Sequence, residues 1–324
     1  KKAQYDFTGT GFSDFVTSWE FNGNLFVQYV TNIGPFAGAD IEFNTGLPFA
    51  DTEMTSGGDF DGDGIKDFVF KRPLNGEAFQ YLIRRSSRPN DLPISLGINN
   101  PPSDTTFDLQ IGDYDGDGLD DFAFYVTNDV TAQTSGLSII QISTLTIRQI
   151  ATTDGITSDF RPAGGFDHNG DQIVDLAVMV KESQGNDFFY HVYDGSDGMQ
   201  LIVSDGTIDG TTKIAPGIFR DNGLNSLALI NEGANIAWNS YFYTPGQLNF
   251  DGIDSALLGQ PGVSTPITGD FDGDGIDDFG YWDTMNAQFV VRPSGSNDPD
   301  NNLITVSPSN AVNGDSPLNA VRIR

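Results

Sequence analysis

The chain has 324 residues, no cysteine, 45 acidic residues against 16 basic ones, and a formal net charge of −29. That balance argues against nucleic acid, anionic membrane surfaces and polyanionic ligands as general partners, and it favours cations. Without cysteine there is no disulfide framework, no thiolate nucleophile and no Cys-based zinc site, and no apolar run approaches the roughly 18–20 residues that span a bilayer.

From the N-terminus onward the chain repeats itself. A first string, "DFTGTGFSD" from Asp6, is followed by the apolar segment "LFVQYV" (25–30). The second repeat has "GDFDGDGIKDF" (58–68), which runs into "DFVFK" (67–71), then "FQYLIR" (79–84) and a short apolar stretch at 91–96. The third is announced by "FDLQIGD" (107–113) and continues through "GDYDGDGLDDF" (112–122), "DFAFY" (121–125), "LSIIQI" (137–142) and 144–150. The fourth has "DHNGDQIVD" from Asp167, "DLAVM" (175–179), "FFYHVY" (188–193) and 199–203. The fifth is weaker, with "IFRDNGLNS" from Ile218, "SLALI" (226–230) and "IAWNSYFY" (236–243). The sixth has "GDFDGDGIDDF" (269–279), "DFGYW" (278–282), "QFVVR" (288–292) and 302–306.

The loop origins at 6, 59, 113, 167, 218 and 270 are 53, 54, 54, 51 and 52 residues apart. Periods near 50 signal units that bury their faces only against neighbouring copies. The segment after each loop is apolar on both faces around a small or β-branched residue (Val69, Ala123, Ala177, Ala228, Gly280), as in a sheet covered on both sides. Four short strands per unit, with turn residues between them and no helical periodicity, predict an all-β fold: one β-propeller domain over 1–324, six blades of about four antiparallel strands, with the acidic loops inside the blades. At the ends, "SPLNAVRIR" (316–324) and "KKAQYDF" compete for the strand before the first loop. Closure of the ring within one molecule is expected, with pairing to a neighbouring molecule through a terminal strand as the other outcome.

Numbered from its first Asp, each strong loop places oxygen side chains at positions 1, 3, 5 and 9, with a main-chain carbonyl at position 7. These are Asp59, Asp61, Asp63, Ile65 and Asp67; Asp113, Asp115, Asp117, Leu119 and Asp121; Asp167, Asn169, Asp171, Ile173 and Asp175; and Asp270, Asp272, Asp274, Ile276 and Asp278. Alternate side chains around a tight turn converge on one point, and Ca²⁺ takes six to eight oxygens at about 2.3–2.6 Å. Asp and Gly also make good turns, but turn chemistry does not require four converging carboxylates, and the pattern recurs in register. The expectation is three to four Ca²⁺ ions. The loops are not EF-hands, because position 12 is Phe70, Phe124, Val178 or Tyr281 and not a bidentate Glu. Thr8 and Thr10 in the first loop, and Ile218, Arg220 and Asn222 in the fifth, remove ligands there.

Strings such as "GDFDGDGIKDFVF" and "GDYDGDGLDDFAFY" resemble FG-GAP/VCBS-type calcium-binding β-propeller repeats, related to the propeller head of integrin α subunits. The resemblance implies a calcium loop that is a hairpin within a blade, the ligands already named, and a secreted or cell-surface protein: an adhesin, a lectin-like module or a non-catalytic part of a polysaccharide-degrading enzyme.

Candidate chemistry beyond the loops is sparse, and no catalytic residue is assigned. His168 reads as a solvent-exposed turn residue, and Phe189, His191 and Tyr193 as a row packed between blades. Trp19, Trp238, Trp282, Tyr241, Tyr243 and Tyr281 are candidates for sugar stacking or for the core, and Arg84, Arg85 and Arg88 for an anion or partner contact. A partner is expected at the unlike connections 31–50, 85–106, 126–136, 181–187, 204–212 and 293–301. The leading expectation is a binding or adhesion module for carbohydrate or protein, with no nucleic acid and no transmembrane segment. A polysaccharide lyase or hydrolase on the same propeller, and a self-assembling structural surface protein, remain open at this point.

Overall fold

In the second to sixth repeats the strands that flank the loop are joined by a pair between the residue before position 1 and the residue at position 9. In the computed structural model these pairs are Gly58 with Asp67, Gly112 with Asp121, Phe166 with Asp175, Gly217 with Ser226, and Gly269 with Asp278. The structure describes residues 5–32, 37–73, 79–89, 91–98, 109–126, 136–151, 160–181, 187–198, 200–203, 208–209, 211–219, 226–232, 236–244, 247–294, 303–309 and 316–317.

Among these residues the hairpins extend into six antiparallel sheets, one per repeat, forming a six-bladed β-propeller. Blade 2, for example, runs in order through Glu53–Gly58, Asp67–Pro73, Phe79–Arg84 and Ile94–Ile98. The fourth strands of blades 2, 3, 4 and 6 fall where short apolar stretches were expected. Those of blades 1 and 5, Ala37–Pro48 and Gln247–Leu257, were not foreseen. The stretch 31–50 is therefore mostly an edge strand of blade 1 and not a variable connection. Among the described residues no helix is long and apolar enough to cross a membrane.

The ring closes within the molecule. Ser316–Pro317 takes the innermost place in blade 1, pairing with Ser18 and Thr17. The N-terminal segment is left to form loop 1, where the Asp14 N–H donates to the Tyr5 carbonyl at 3.0 Å.

The core is divided among the interfaces between blades. Val69, Ala123, Ala177 and Ala228 have no exposed surface, because the strand each occupies is covered on both faces. Six apolar clusters each join one blade to the next, the last joining blade 6 to blade 1 through Phe15, Phe271, Trp282 and Phe289. Position 2 of the loops contributes directly: Phe7 stacks on Phe68 at 4.3 Å, Phe60 on Phe122 at 5.0 Å and Phe271 on Phe15 at 4.6 Å. Each such ring buries about 1.5–3 kcal/mol of apolar surface and adds about 0.5–1.5 kcal/mol through its ring partner. A loop thus anchors itself in the interface with the following blade.

Candidate metal centre

The loops are held by their own carboxylates. The position 1 aspartate accepts main-chain N–H groups from positions 4 and 6: Gly62 and Gly64 on Asp59 at 2.8 and 3.0 Å, Gly116 and Gly118 on Asp113 at 2.7 and 2.9 Å, and Gly273 and Gly275 on Asp270 at 2.7 and 3.1 Å. The position 5 aspartate accepts the N–H of position 7, as Asp117 does from Leu119 at 2.9 Å. Both glycines take positive φ, for example 76° at Gly116 and 89° at Gly118, where a side chain is strained. A Cβ on Gly62 would also stand 3.0 Å from Leu119 of the next loop.

Position 9 joins the loop to its blade. Asp67, Asp121, Asp175 and Asp278 are fully buried. One oxygen of each accepts an N–H from the far end of the third strand: Ser86 at 2.9 Å, Ile142 at 2.8 Å, Gly195 at 3.1 Å and Ser294 at 2.7 Å. In three of these loops the other oxygen accepts the N–H of position 2, at 3.3 Å from Phe60, 2.7 Å from His168 and 2.9 Å from Phe271. In loop 3 the Tyr114 N–H faces Asp121 and lowers its pKa but falls short of a well-formed hydrogen bond, so Asp121 Oδ2, like Asp61 Oδ1 in loop 2, is a buried, poorly satisfied oxygen. An unmet buried carboxylate oxygen is costly.

Among the described residues, three acidic groups bring their oxygens within 4.8 Å of one another and could hold a metal ion: Asp59, Asp61 and Asp63; Asp113, Asp115 and Asp121; and Asp270, Asp272 and Asp278. Asp67, Asp117 and Asp274 lie outside these closest groups. Burial first, and neighbouring carboxylates after it, push Asp67 and Asp121 up to about 7 and Asp270 up to about 6. The same causes hold Asp278 well above the usual carboxylate range. Buried, crowded, oxygen-only ligand sets of this kind fit a hard divalent cation.

The other loops are built differently. In loop 4 the Asn169 amide donates to Asp171 and Asp194 at 3.3 and 3.1 Å, Gln172 adopts a φ of 75°, and Asp167, Asp171 and Asp175 form no such close group. In loop 1, Thr8 Oγ1 donates to Asp14, 3.1 Å from Oδ2, in place of a carboxylate. Arg220 and Asn222 of loop 5 lie outside the described residues.

Residues beyond the repeat also reach position 3. Gln141 Nε2 donates to Asp115 Oδ2 at 2.7 Å, and Arg85 Nε lies 3.6 Å from Asp61 Oδ2. With Asp194 they precede the third-strand N–H that binds position 9, but their types differ between blades, so no sequence period marks them.

Scanned against models of known protein families the chain matches none, and no curated protein sequence matches it. Among the solved structures that match, two align over the whole chain. One is the crystal structure of rhamnogalacturonan lyase YesW, with a TM-score of 0.37, 13% identity, and coverage of 100% of this chain and 69% of that one. The other is exotype rhamnogalacturonan lyase YesX, with a TM-score of 0.39, 15% identity, and coverage of 100% and 67%.

The remaining candidates resolve as follows. His168 is not a solvent-exposed turn residue. It is 6% exposed, one ring nitrogen lies 2.7 Å from the Phe166 carbonyl and the other 3.1 Å from the Tyr190 hydroxyl. It occupies position 2, where the other loops carry Phe or Tyr, and burial lowers its pKa to about 4. His191 is buried in the row with Phe189 and Tyr193. Trp238 and Trp282 are wholly buried between blades. Trp19 packs with Phe26 at 5.1 Å and with half-exposed Phe21 at 5.8 Å. Arg84 donates to the Pro89 and Thr45 carbonyls and lies over the Phe43 ring, so its guanidinium is committed locally. The side chains of Tyr241 and Tyr243 lie outside the described residues, as do most of the connections 126–136, 181–187, 204–212 and 293–301.

Proposed function

We propose that this protein is a secreted or cell-surface β-propeller, stabilised by Ca²⁺ in its acidic loops, that serves as a binding or adhesion module. The observation that carries the calcium reading is that two clustered carboxylates keep a buried oxygen without a well-formed hydrogen bond: Asp121 Oδ2 beside Asp113 and Asp115, and Asp61 Oδ1 beside Asp59 and Asp63. Asp59, Asp113 and Asp270, with their partners at positions 3, 5 and 9, would hold the ions, and the bound cation would neutralise converging carboxylates. Ca²⁺ suits a flexible all-oxygen set better than Mg²⁺, which demands near-ideal octahedral geometry and keeps several waters. Extracellular calcium modules work at dissociation constants of about 10⁻⁴–10⁻³ M, which fits an exported protein.

The loop carboxylates are engaged in the turns themselves, so the partner falls to other surfaces. The Trp19, Phe21 and Phe26 group beside the turn that joins Phe15–Phe21 to Asn24–Asn32 offers aromatic faces to a carbohydrate or protein. Glycan-array binding with and without calcium tests this reading. Binding that survives in the folded D272A/D274A variant and falls in F21A supports it. Turnover of an acidic polysaccharide by the purified protein would replace the binding module with the enzyme.

A further inference from the structure

Successive loops are stitched together by their main chains. The N–H of position 8 donates to the position 1 carbonyl of the preceding loop: Lys66 to Asp6, Asp120 to Asp59 and Val174 to Asp113, each at 2.8 Å, Asp277 to Ile218 at 2.5 Å, and Ser13 to Asp270 at 2.7 Å. The position 8 residue of loop 5, Asn225, lies outside the described residues. The belt runs through the loops irrespective of which residue stands at position 8.

One link carries more than the rest. Asp120 Oδ2 accepts the Asp59 N–H at 2.6 Å and the Lys66 ammonium at 2.6 Å. Together with its own N–H, Asp120 therefore holds both main-chain groups of Asp59, the first residue of one acidic cluster. Its neighbour in sequence, Asp121, belongs to the next cluster, and each of the two clusters holds a buried oxygen without a well-formed hydrogen bond, Asp61 Oδ1 in the first and Asp121 Oδ2 in the second. Asp277 makes the same pair of bonds, with its Oδ2 2.7 Å from the Ile218 N–H, but onto a loop without the acidic pattern. The Asp270 carbonyl is held by Ser13 of loop 1, a loop in which the Thr8 hydroxyl already donates to Asp14.

We propose that the loops starting at Asp59 and Asp113 take up their cations with positive coupling transmitted through Asp120, while the loop starting at Asp270 binds independently. This rests on the calcium reading above. An ion that fixes Asp121 also fixes Asp120, and with it the backbone of Asp59. Ordering already done by the first ion need not be repeated for the second. Through-space electrostatics has the opposite sign, because an ion in one loop removes negative charge that attracts a cation to the other.

Calorimetry with Ca²⁺ gives the number of sites. Tb³⁺ luminescence sensitised by Tyr114, assigned by its loss in Y114F, reports the loop starting at Asp113. D63N alters an exposed position of the first cluster, and D61N replaces it if D63N does not fold. The expected result is that D63N weakens Tb³⁺ binding at the Asp113 loop about fivefold or more, that D274N leaves it unchanged, and that D120A removes the effect of D63N. Calcium uptake with unchanged or tighter Tb³⁺ binding in D63N overturns the coupling and leaves the calcium reading standing. Equal weakening by D274N overturns it too. No uptake of Ca²⁺ by the wild type overturns the calcium reading itself.

Discussion

Loops 1 and 3 have the same backbone and opposite side-chain electrostatics. Their position 4 and 6 glycines take φ values of 74° and 87° in loop 1, and of 76° and 89° in loop 3. In loop 1 the buried Asp14 receives the Phe7 N–H at 2.8 Å and the Thr8 hydroxyl at 3.1 Å, so the chain supplies its donors. In loop 3, Asp115 and Asp117 stand where the threonines were, and Asp121 Oδ2 lacks a well-formed hydrogen bond, with only the Tyr114 N–H facing its carboxylate. The turn therefore does not need the acidic string. What the string adds is a crowd of unmet negative oxygens, which a cation satisfies and a hydroxyl can replace.

The largest expected effect is calcium removal. At a free concentration 100 times the dissociation constant, each site adds about 2.7 kcal/mol if the unfolded chain does not bind. Thermal melts in calcium and in chelator should differ by many degrees. D121N sharpens the contrast, because it removes a ligand carboxylate: it should narrow the difference between the melts in calcium and in chelator. Coincident melts for wild type in both buffers would remove the distinction between the two loops.

Acidity gives the next effect, and its sign is decided by burial. In the metal-free fold Asp67, Asp121 and Asp175 sit near 7, against about 3.9 when unfolded. A raised folded pKa means that the native state binds the proton more tightly. The stability these groups contribute is complete below about pH 4 and is lost as pH rises through 7. One such group changes stability by about 1.4 kcal/mol per pH unit within that window. Calcium-depleted protein should therefore melt lower at pH 8 than at pH 5, and saturating calcium should flatten or invert the slope. A melting temperature that rises with pH after depletion contradicts the assignment.

The repeat, the all-β class, the six blades and the acidic clusters were legible in the sequence because each recurs at a fixed place. What was not legible depends on partners in another blade. The belt uses position 8 main chain, and Ser13, Lys66, Asp120, Val174 and Asp277 share no side-chain chemistry that could announce it. His168 was misread because its neighbours in sequence are turn formers, whereas the other loops place an aromatic in the core at that position. The edge strand Ala37–Pro48 was missed for a related reason: an outermost strand packs on one neighbour only, so its apolar pattern is weak.

A smaller effect follows from turning loop 1 into loop 3. T8D/T10D removes the hydroxyl donor to Asp14 and adds two carboxylates beside it. Without calcium this should cost about 1 kcal/mol for the lost hydrogen bond, to which the repulsion of the added carboxylates adds; the Phe7 N–H still serves Asp14 Oδ2. With calcium a further ion should bind and recover part of that loss, read as a steeper rise of melting temperature with calcium than in wild type. A loss that calcium leaves untouched would mean that loop 1 lacks some ligand besides the two carboxylates.

The smallest effect belongs to loop 4, which departs from loop 3 in backbone as well as charge. Gln172 stands at position 6 with a φ of 75°, where Gly11, Gly64, Gly118 and Gly275 lie between 86° and 90°. An L side chain in that region costs on the order of 1–2 kcal/mol, partly offset by the extra freedom glycine gives the unfolded chain. The Gln172 N–H bond to Asp167, at 2.9 Å, involves only main chain at residue 172 and survives substitution. Q172G should therefore stabilise by roughly 0.5–1 kcal/mol, whereas Q172A, which keeps a Cβ, should gain little. The gain should be equal in chelator and in calcium, because it comes from backbone strain and not from ligands. A gain confined to calcium would show instead that an ion occupies this loop and that its binding had been held back by the strained turn.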